Sequence, residues 1–145
     1  ERVLNLLNKG SVFEKSKTLR QKQHIIRDAP EGAATGENLY FEFLNTEHWC
    51  QNQYQVTHQV SQAGTYKNRY DVTILINGMP LVQIELKRKG LELKEAFNQI
   101  NRYQRHSFGA NTALFQYVQI FIISNGVNTK YYSNNHHHIF NHTFY

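Results

Sequence analysis

Two residues, Asn77 and Gly78, constrain this chain more than any other pair, because they separate two apolar runs, DVTILI and MPLVQIEL. Both tolerate positive φ, which a tight hairpin turn demands, so Asn68 to Lys89 reads as two antiparallel strands folded at Asn77-Gly78. In the second strand, alternation puts Leu81, Gln83, Glu85 and Lys87 on one face and Val82, Ile84 and Leu86 on the other. Glu85 and Lys87 then project side by side, with Asp71 near the start of the first strand. A carboxylate and an amine at the end of an apolar strand, with a third charge on its neighbour, can hold a hard divalent cation and activate a water.

Register tests that arrangement. A hairpin loop of two or four residues would put Asp71 and Glu85 on opposite faces of the sheet. A loop of odd length, or one bulge, brings them to the same face, and Gly78 supplies the conformation a three-residue loop needs. An odd loop or a bulge is therefore expected.

The remaining segments arrange themselves around the hairpin. Val3, Leu4, Leu6 and Leu7 read as the end of a helix stopped by Lys9-Gly10. Thr18 to Asp28 offers a short, basic helical pattern ending before Pro30. Ala29 to Glu37, rich in small residues, reads as a loop able to move. Periodicity does not decide between helix and strand for the aromatic-dense Asn38 to Cys50. Within it, Trp49-Cys50 suggests a buried core pair. Tyr54 to Val60 alternates as a half-buried strand, with Tyr54, Val56, His58 and Val60 on one side, and completes a three-stranded meander. Leu91 to His106 carries Leu93, Ala96, Phe97 and Ile100 as one stripe. Gln99 and Tyr103 lie four apart at its edge, facing the rim that bears Glu85 and Lys87. Gln116 to Ser124 reads as a central strand reached by a parallel crossover, and Asn128 to Tyr132 as an edge strand.

The spacing of Asp71, thirteen residues and Glu85-Leu86-Lys87 resembles the PD-(D/E)xK nuclease motif. The run VTILINGMPLVQIELKR, the Gln-x-x-x-Tyr of Gln99 and Tyr103, and FIISNGVNTKYY together resemble the N-terminal nuclease domain of the type I restriction enzyme R (HsdR) subunit. Tyr70 stands where the general motif has proline. The resemblance implies an α/β fold, a restriction-endonuclease-like mixed β-sheet flanked by helices, spanning residues 1–145 as a single domain. It implies Mg²⁺ held by Asp71, Glu85 and the backbone carbonyl of Leu86, with Lys87 orienting the attacking water and offsetting charge on the phosphorane. Gln99 and Tyr103 are implied to hold the DNA backbone or the scissile nucleotide. Arg102, Arg105, Lys89 and Lys94 are generic phosphate-binding candidates, each also readable as a solvated charge. Glu42 and Glu14 are both candidates for a further upstream acid.

The activity implied is DNA phosphodiester hydrolysis inside a larger restriction complex, with double-stranded DNA and the methyltransferase and specificity subunits as partners. The sequence contains no Gly-x-x-x-x-Gly-Lys-Ser/Thr phosphate loop, so ATP use is expected only of motor domains outside this chain. Starting at Glu1 and not at Met fits a fragment. A rival reading is a catalytically silent nuclease-fold domain that binds nucleic acid or a partner subunit. The intact Asp71, Glu85 and Lys87 set argues against it.

Composition agrees without deciding. The 145 residues, 40% hydrophobic and 13% aromatic, suffice for one globular core. A net charge of +5 and a pI near 9.4 suit a polyanionic partner. A single cysteine, Cys50, rules out an intrachain disulfide and the cysteine-rich zinc frameworks. With one cysteine, a reducing, cytoplasmic setting is the default expectation, and no apolar run is long enough to span a membrane. His136, His137, His138 and His142 read as a flexible tail or a remnant of processing and not as a metal site, because adjacent histidines alternate in direction.

Overall fold

The structure, a computed structural model, describes residues 2–28, 36–62, 68–106, 114–135 and 137–145. It divides into two compact units, Glu1–Asn52 and Gln53–Tyr145.

The first unit holds helices α1 (Arg2–Leu7) and α2 (Val12–Arg20) and a small antiparallel sheet of β1 (Gln23–Ile26) and β2 (Asn38–Phe41). Gly10, at φ +82°, separates the helices where the Lys9-Gly10 stop was expected. A capping box starts α2: the Ser11 N–H donates to Glu14 Oε2 at 2.6 Å, and the Glu14 N–H donates to Ser11 Oγ at 3.3 Å. This corrects the sequence reading of a helix over Thr18 to Asp28. The box fixes the helix start at Ser11, so the helix ends at Arg20 and the β-branched pair Ile25-Ile26 goes into a strand instead, opposite Leu39 and Asn38. Asn38 to Cys50, undecided from sequence, becomes β2 followed by a short 3-10 turn at Trp49–Gln51. Trp49 and Cys50 are exposed on that turn, not a buried pair. Most of the expected mobile loop, residues 29–35, lies outside the described residues.

The second unit is a five-stranded mixed sheet with one helix. Strands β3 (Tyr54–Gln62), β4 (Asn68–Ile76), β5 (Met79–Leu86), β6 (Ile120–Ser124) and β7 (Thr129–Ser133) lie side by side in chain order. The β5–β6 pair is parallel and the other pairs antiparallel, with helix α3 (Leu93–His106) in the crossover. Meander, parallel crossover and edge strand are as the sequence indicated. The expected central strand is shorter, because Leu114–Tyr117 form a 3-10 turn and β6 begins only at Ile120. No helix among the described residues is long and apolar enough to cross a membrane.

Asn77 (φ +50°) and Gly78 (φ +79°) make a two-residue turn between the paired residues Ile76 and Met79. The start of β3 fastens the turn: Gln53 N–H donates to Asn77 Oδ1 and Asn77 N–H to the Gln53 carbonyl, both at 2.8 Å. Pairing then slips. Leu75 faces Pro80, but Ile74 faces Val82, so Leu81 is an extra residue on β5. This is the bulge the register argument required.

One face of the sheet is covered by α3, whose stripe of Leu93, Ala96, Phe97, Ile100 and Tyr103 joins Tyr70, Val118, Phe121, Ile123 and Tyr132 in the core. Gln83, Phe121 and Tyr132 lie abreast on β5, β6 and β7, and Glu85, Ile123 and Lys130 form the next row. A second irregularity ends the expected alternation of β3. Gln59 takes φ +53°, and pairing resumes only at Val60 with Tyr70. Tyr54, Val56 and His58 stay exposed, while Val60 packs against the core. A left-handed residue rotates the strand, so residues on its two sides cease to share a face.

The histidine-bearing end is built in and is not a loose tail. Phe144 and Tyr131 exchange backbone hydrogen bonds at 2.9 Å, Thr143 is buried, and the His138 ring meets Tyr132 edge-on at 5.4 Å. His136 lies outside the described residues.

Candidate active site

The bulge at Leu81 brings the charges together. Val72 faces Ile84 at the end of the ladder, and just beyond that pair the Asp71 and Glu85 carboxylates lie close enough for one to raise the proton affinity of the other. Asp71 Oδ2 accepts the Leu86 N–H at 2.9 Å, which fixes the aspartate across the end of β5. Lys87 Nζ donates to Glu85 Oε1 at 3.4 Å. All three side chains of the expected set therefore converge.

Gln99 and Tyr103 of α3 join them. Lys87 Nζ donates to Gln99 Oε1, Gln99 Nε2 donates to the Tyr103 hydroxyl, and that hydroxyl donates to the Arg69 carbonyl at 3.0 Å. Every donor in this relay points the same way. The lysine thus fixes the orientation of the Gln99 amide, and β4 anchors the far end. Tyr103 is itself held by Tyr70, whose ring lies 5.1 Å away at 89°. An aromatic residue at position 70 therefore supports the site.

Glu85 is the electrostatic centre. Its side chain is fully buried, and Oε2 has no hydrogen-bond partner. Burial first, and then the Asp71 carboxylate, push its pKa up to about 7, with Lys87 opposing. Burial also raises the Tyr103 phenol, the Gln99 hydrogen bond opposes this, and the charges of Glu85 and Asp71 add to the rise. The phenol stays protonated and able to donate to Arg69.

This donor set fits a small hard cation. Two crowded carboxylates, one with an orphaned buried oxygen, have unsatisfied negative charge and open acceptor sites, and Mg²⁺ is commonly bound through one or two carboxylates with waters in its other positions. No cluster of three or more His, Cys, Asp or Glu side chains occurs among the described residues, and the described histidines of the C-terminal segment form none.

A hollow of about 410 Å³ opens beside Asp71 and Lys87, lined also by His58, Gln59, Val72, Leu86 and Arg88. His58, Gln59 and Arg88 were not anticipated from sequence, and only the unreadable kink at Gln59 could have marked the first two. Arg102 is exposed, with its guanidinium 5.9 Å from the Tyr103 ring centre. Lys89, beyond β5, Arg105, near the end of α3, and Lys94 are exposed. Glu14 is engaged in its capping box, and Glu42 lines a hollow with Lys22 and Tyr40 in the first unit.

Residues 2–138 match the family described as the type I restriction enzyme R protein N terminus. The chain belongs to that family. Proteins of similar sequence carry matching descriptions. The type I restriction enzyme SsaAORF53P endonuclease subunit of Staphylococcus saprophyticus is 51% identical over the whole chain, and the SauCOLORF180P endonuclease subunit of Staphylococcus aureus strain COL is 49% identical over the same span. The EcoprrI endonuclease subunit of Escherichia coli is 53% identical over 68% of the chain, covering 31% of that protein. The chain spans about 15% of the length of the two staphylococcal relatives.

Proposed function

We propose that this chain is the DNA-cleaving domain of a type I restriction R subunit, hydrolysing phosphodiester bonds with Mg²⁺. The observation that carries the reading is the convergence of Asp71, Glu85 and Lys87 at one end of β4 and β5, joined to α3 through Gln99. Asp71, Glu85 and the Leu86 carbonyl would hold the ion. When bound, Mg²⁺ polarises the phosphoryl group and lowers the pKa of a coordinated water.

The chain's own residues supply the rest. Lys87, held between Glu85 Oε1 and Gln99 Oε1, has one N–H left to orient the attacking water and offset charge growing on the phosphoryl oxygens. Gln99 and Tyr103 keep that ammonium in place by tying it to the β4 backbone, and the same edge of α3 meets the nucleotide. The open hollow beside Asp71 and Lys87 admits the DNA strand, with Arg88, Arg102, Lys89 and Arg105 as phosphate contacts. Double-stranded DNA is the substrate, delivered within an assembly with methyltransferase and specificity subunits and an ATP-driven motor.

The test is alanine substitution of Asp71, Glu85 and Lys87 in the assembled restriction enzyme, scored for DNA cleavage and for ATP hydrolysis. Loss of cleavage with ATP hydrolysis retained supports the reading. Retained cutting in any variant removes that residue from the mechanism, and loss of both activities favours a structural or partner-binding domain.

A further inference from the structure

Among the described residues, Gln59 and Asn77 are the two outside glycine that take a positive φ. Asn77 does so to make the hairpin turn. No turn asks it of Gln59, which sits at φ +53° within β3. For a glutamine that conformation costs stability, and residues held this way gather at sites whose function needs them.

The kink falls at one particular place. β3 lies at the edge of the sheet, and its ladder with β4 runs through His58–Val72 and resumes at Val60–Tyr70. One residue of each strand lies between those pairs, so nothing is inserted and the register is kept. The pair missing from the ladder is Gln59 with Asp71. The edge strand is therefore broken at the aspartate that accepts the Leu86 N–H at 2.9 Å, and His58 and Gln59 line the hollow of about 410 Å³ shared with Asp71, Lys87 and Arg88. Irregularities at sheet edges beside active sites commonly re-aim a side chain in this way.

The rim of that hollow has unused hydrogen-bonding capacity. The side chains of His58, Gln59 and Arg88 make no hydrogen bond or ion pair among the described residues. Lys87 and Arg88 set two cations against one carboxylate, Asp71, around the opening. A ligand suited to this rim is an anion whose oxygens accept from an amide and a guanidinium, as the non-bridging oxygens of a phosphodiester do.

We propose that Gln59 is a DNA-backbone contact, its side-chain amide donating to a phosphate that flanks the scissile one, and that the left-handed kink serves to hold this amide beside Asp71. The inference rests on the nuclease reading of Asp71, Glu85 and Lys87, and adds to it a residue of the edge strand. Contacts to backbone phosphate fix the position of a strand and carry no sequence information.

The experiment compares wild type, Gln59→Gly, Gln59→Asn and Asp71→Ala in the assembled restriction enzyme. Glycine and asparagine both accept a left-handed conformation, and of the two only asparagine keeps an amide. Gln59→Gly is expected to lower the single-turnover cleavage rate about tenfold or more, the usual worth of one hydrogen bond to a charged group. Mn²⁺ affinity and ATP hydrolysis should stay at the wild-type level, with hydrogen exchange in β3 and β4 unchanged or slower. Gln59→Asn should recover part of the lost rate. Wild-type cutting by Gln59→Gly overturns the inference, and so do equal losses in the glycine and asparagine variants. Faster exchange together with lost Mn²⁺ binding would make the kink a structural device and overturn it as well. Cutting by Asp71→Ala sinks the nuclease reading instead, which separates that failure from the failure of Gln59 alone.

Discussion

Asp71 and Glu85 lie on one face of the sheet because a single extra residue, Leu81, offsets the two-residue turn at Asn77-Gly78. Without that offset, strict pairing from the turn would send the two carboxylates to opposite faces. The Asp71 carboxylate is then fixed by the Leu86 N–H, one residue beyond Glu85. Proton binding at Glu85, which the nearby Asp71 carboxylate strengthens, depends on this local defect.

The first prediction concerns pH. Glu85 rises from 4.5 to about 7 in the folded protein. A raised folded pKa means that the native state binds the proton more tightly, so its stabilising contribution is full below about pH 4.5 and is lost as pH rises through about 7. The metal-free protein should lose on the order of 3 kcal/mol from this source between those limits. Glu85→Gln is expected to flatten the dependence and to be the more stable protein above pH 7. Urea denaturation from pH 4.5 to 8 checks this, and an unchanged slope in Glu85→Gln refutes it.

Metal binding should carry the opposite imprint. A cation at Asp71 and Glu85 must displace the Glu85 proton, so Mn²⁺ affinity is expected to climb with pH up to about 7 and then level off, with proton release below that point. Calorimetry in buffers of different ionisation enthalpy measures the released proton. Affinity independent of pH would place the ion elsewhere.

Lys87 and Gln99 are expected to separate chemistry from binding. Lys87→Ala should reduce cleavage by about 100-fold or more, the usual cost of losing a group that stabilises transition-state charge. Gln99→Ala should lower the single-turnover rate while Mn²⁺ still binds, because it releases Lys87 from the Tyr103–Arg69 tether. A Gln99→Ala enzyme cutting at the wild-type rate would dispose of the tether's role.

The buried Thr73–Gln83 pair offers a stability test independent of function. Thr73 Oγ1 donates to Gln83 Oε1 at 2.7 Å within the sheet's covered face. Thr73→Val should cost about 1–3 kcal/mol by stranding the Gln83 carbonyl, whereas Thr73→Val combined with Gln83→Leu should recover most of it. Equal losses in the single and double variants would mean that the hydroxyl's volume, and not its hydrogen bond, matters.

The 145-residue chain by itself is expected to cut DNA slowly or not at all with Mg²⁺. At +5, with its cations dispersed, it should hold duplex DNA only in the non-specific range of roughly 10⁻⁴ to 10⁻⁶ M at physiological salt. A plasmid nicking assay checks this. Rapid, site-specific double-strand cutting by this chain alone would contradict the proposed division of labour.

Local chemistry in the sequence determined the turn at Asn77-Gly78, the strands on each side of it and the apolar stripe of α3, since each rests on residue type and short-range period, whereas the Asp71, Glu85, Lys87 and Gln99-x-x-x-Tyr103 set stood out through its resemblance to a nuclease family. The Ser11-x-x-Glu14 capping box is equally local and starts the helix at Val12–Arg20, whereas the basic pattern alone puts it at Thr18 to Asp28. Tertiary structure alone decided the rest. The choice between an odd loop and a bulge, the kink at Gln59, the exposure of Trp49 and Cys50, and the row of Gln83, Phe121 and Tyr132 depend on partners far away in the chain. Residue period carries no record of which strand lies two places across a sheet, because that order is set by burying one continuous face under α3.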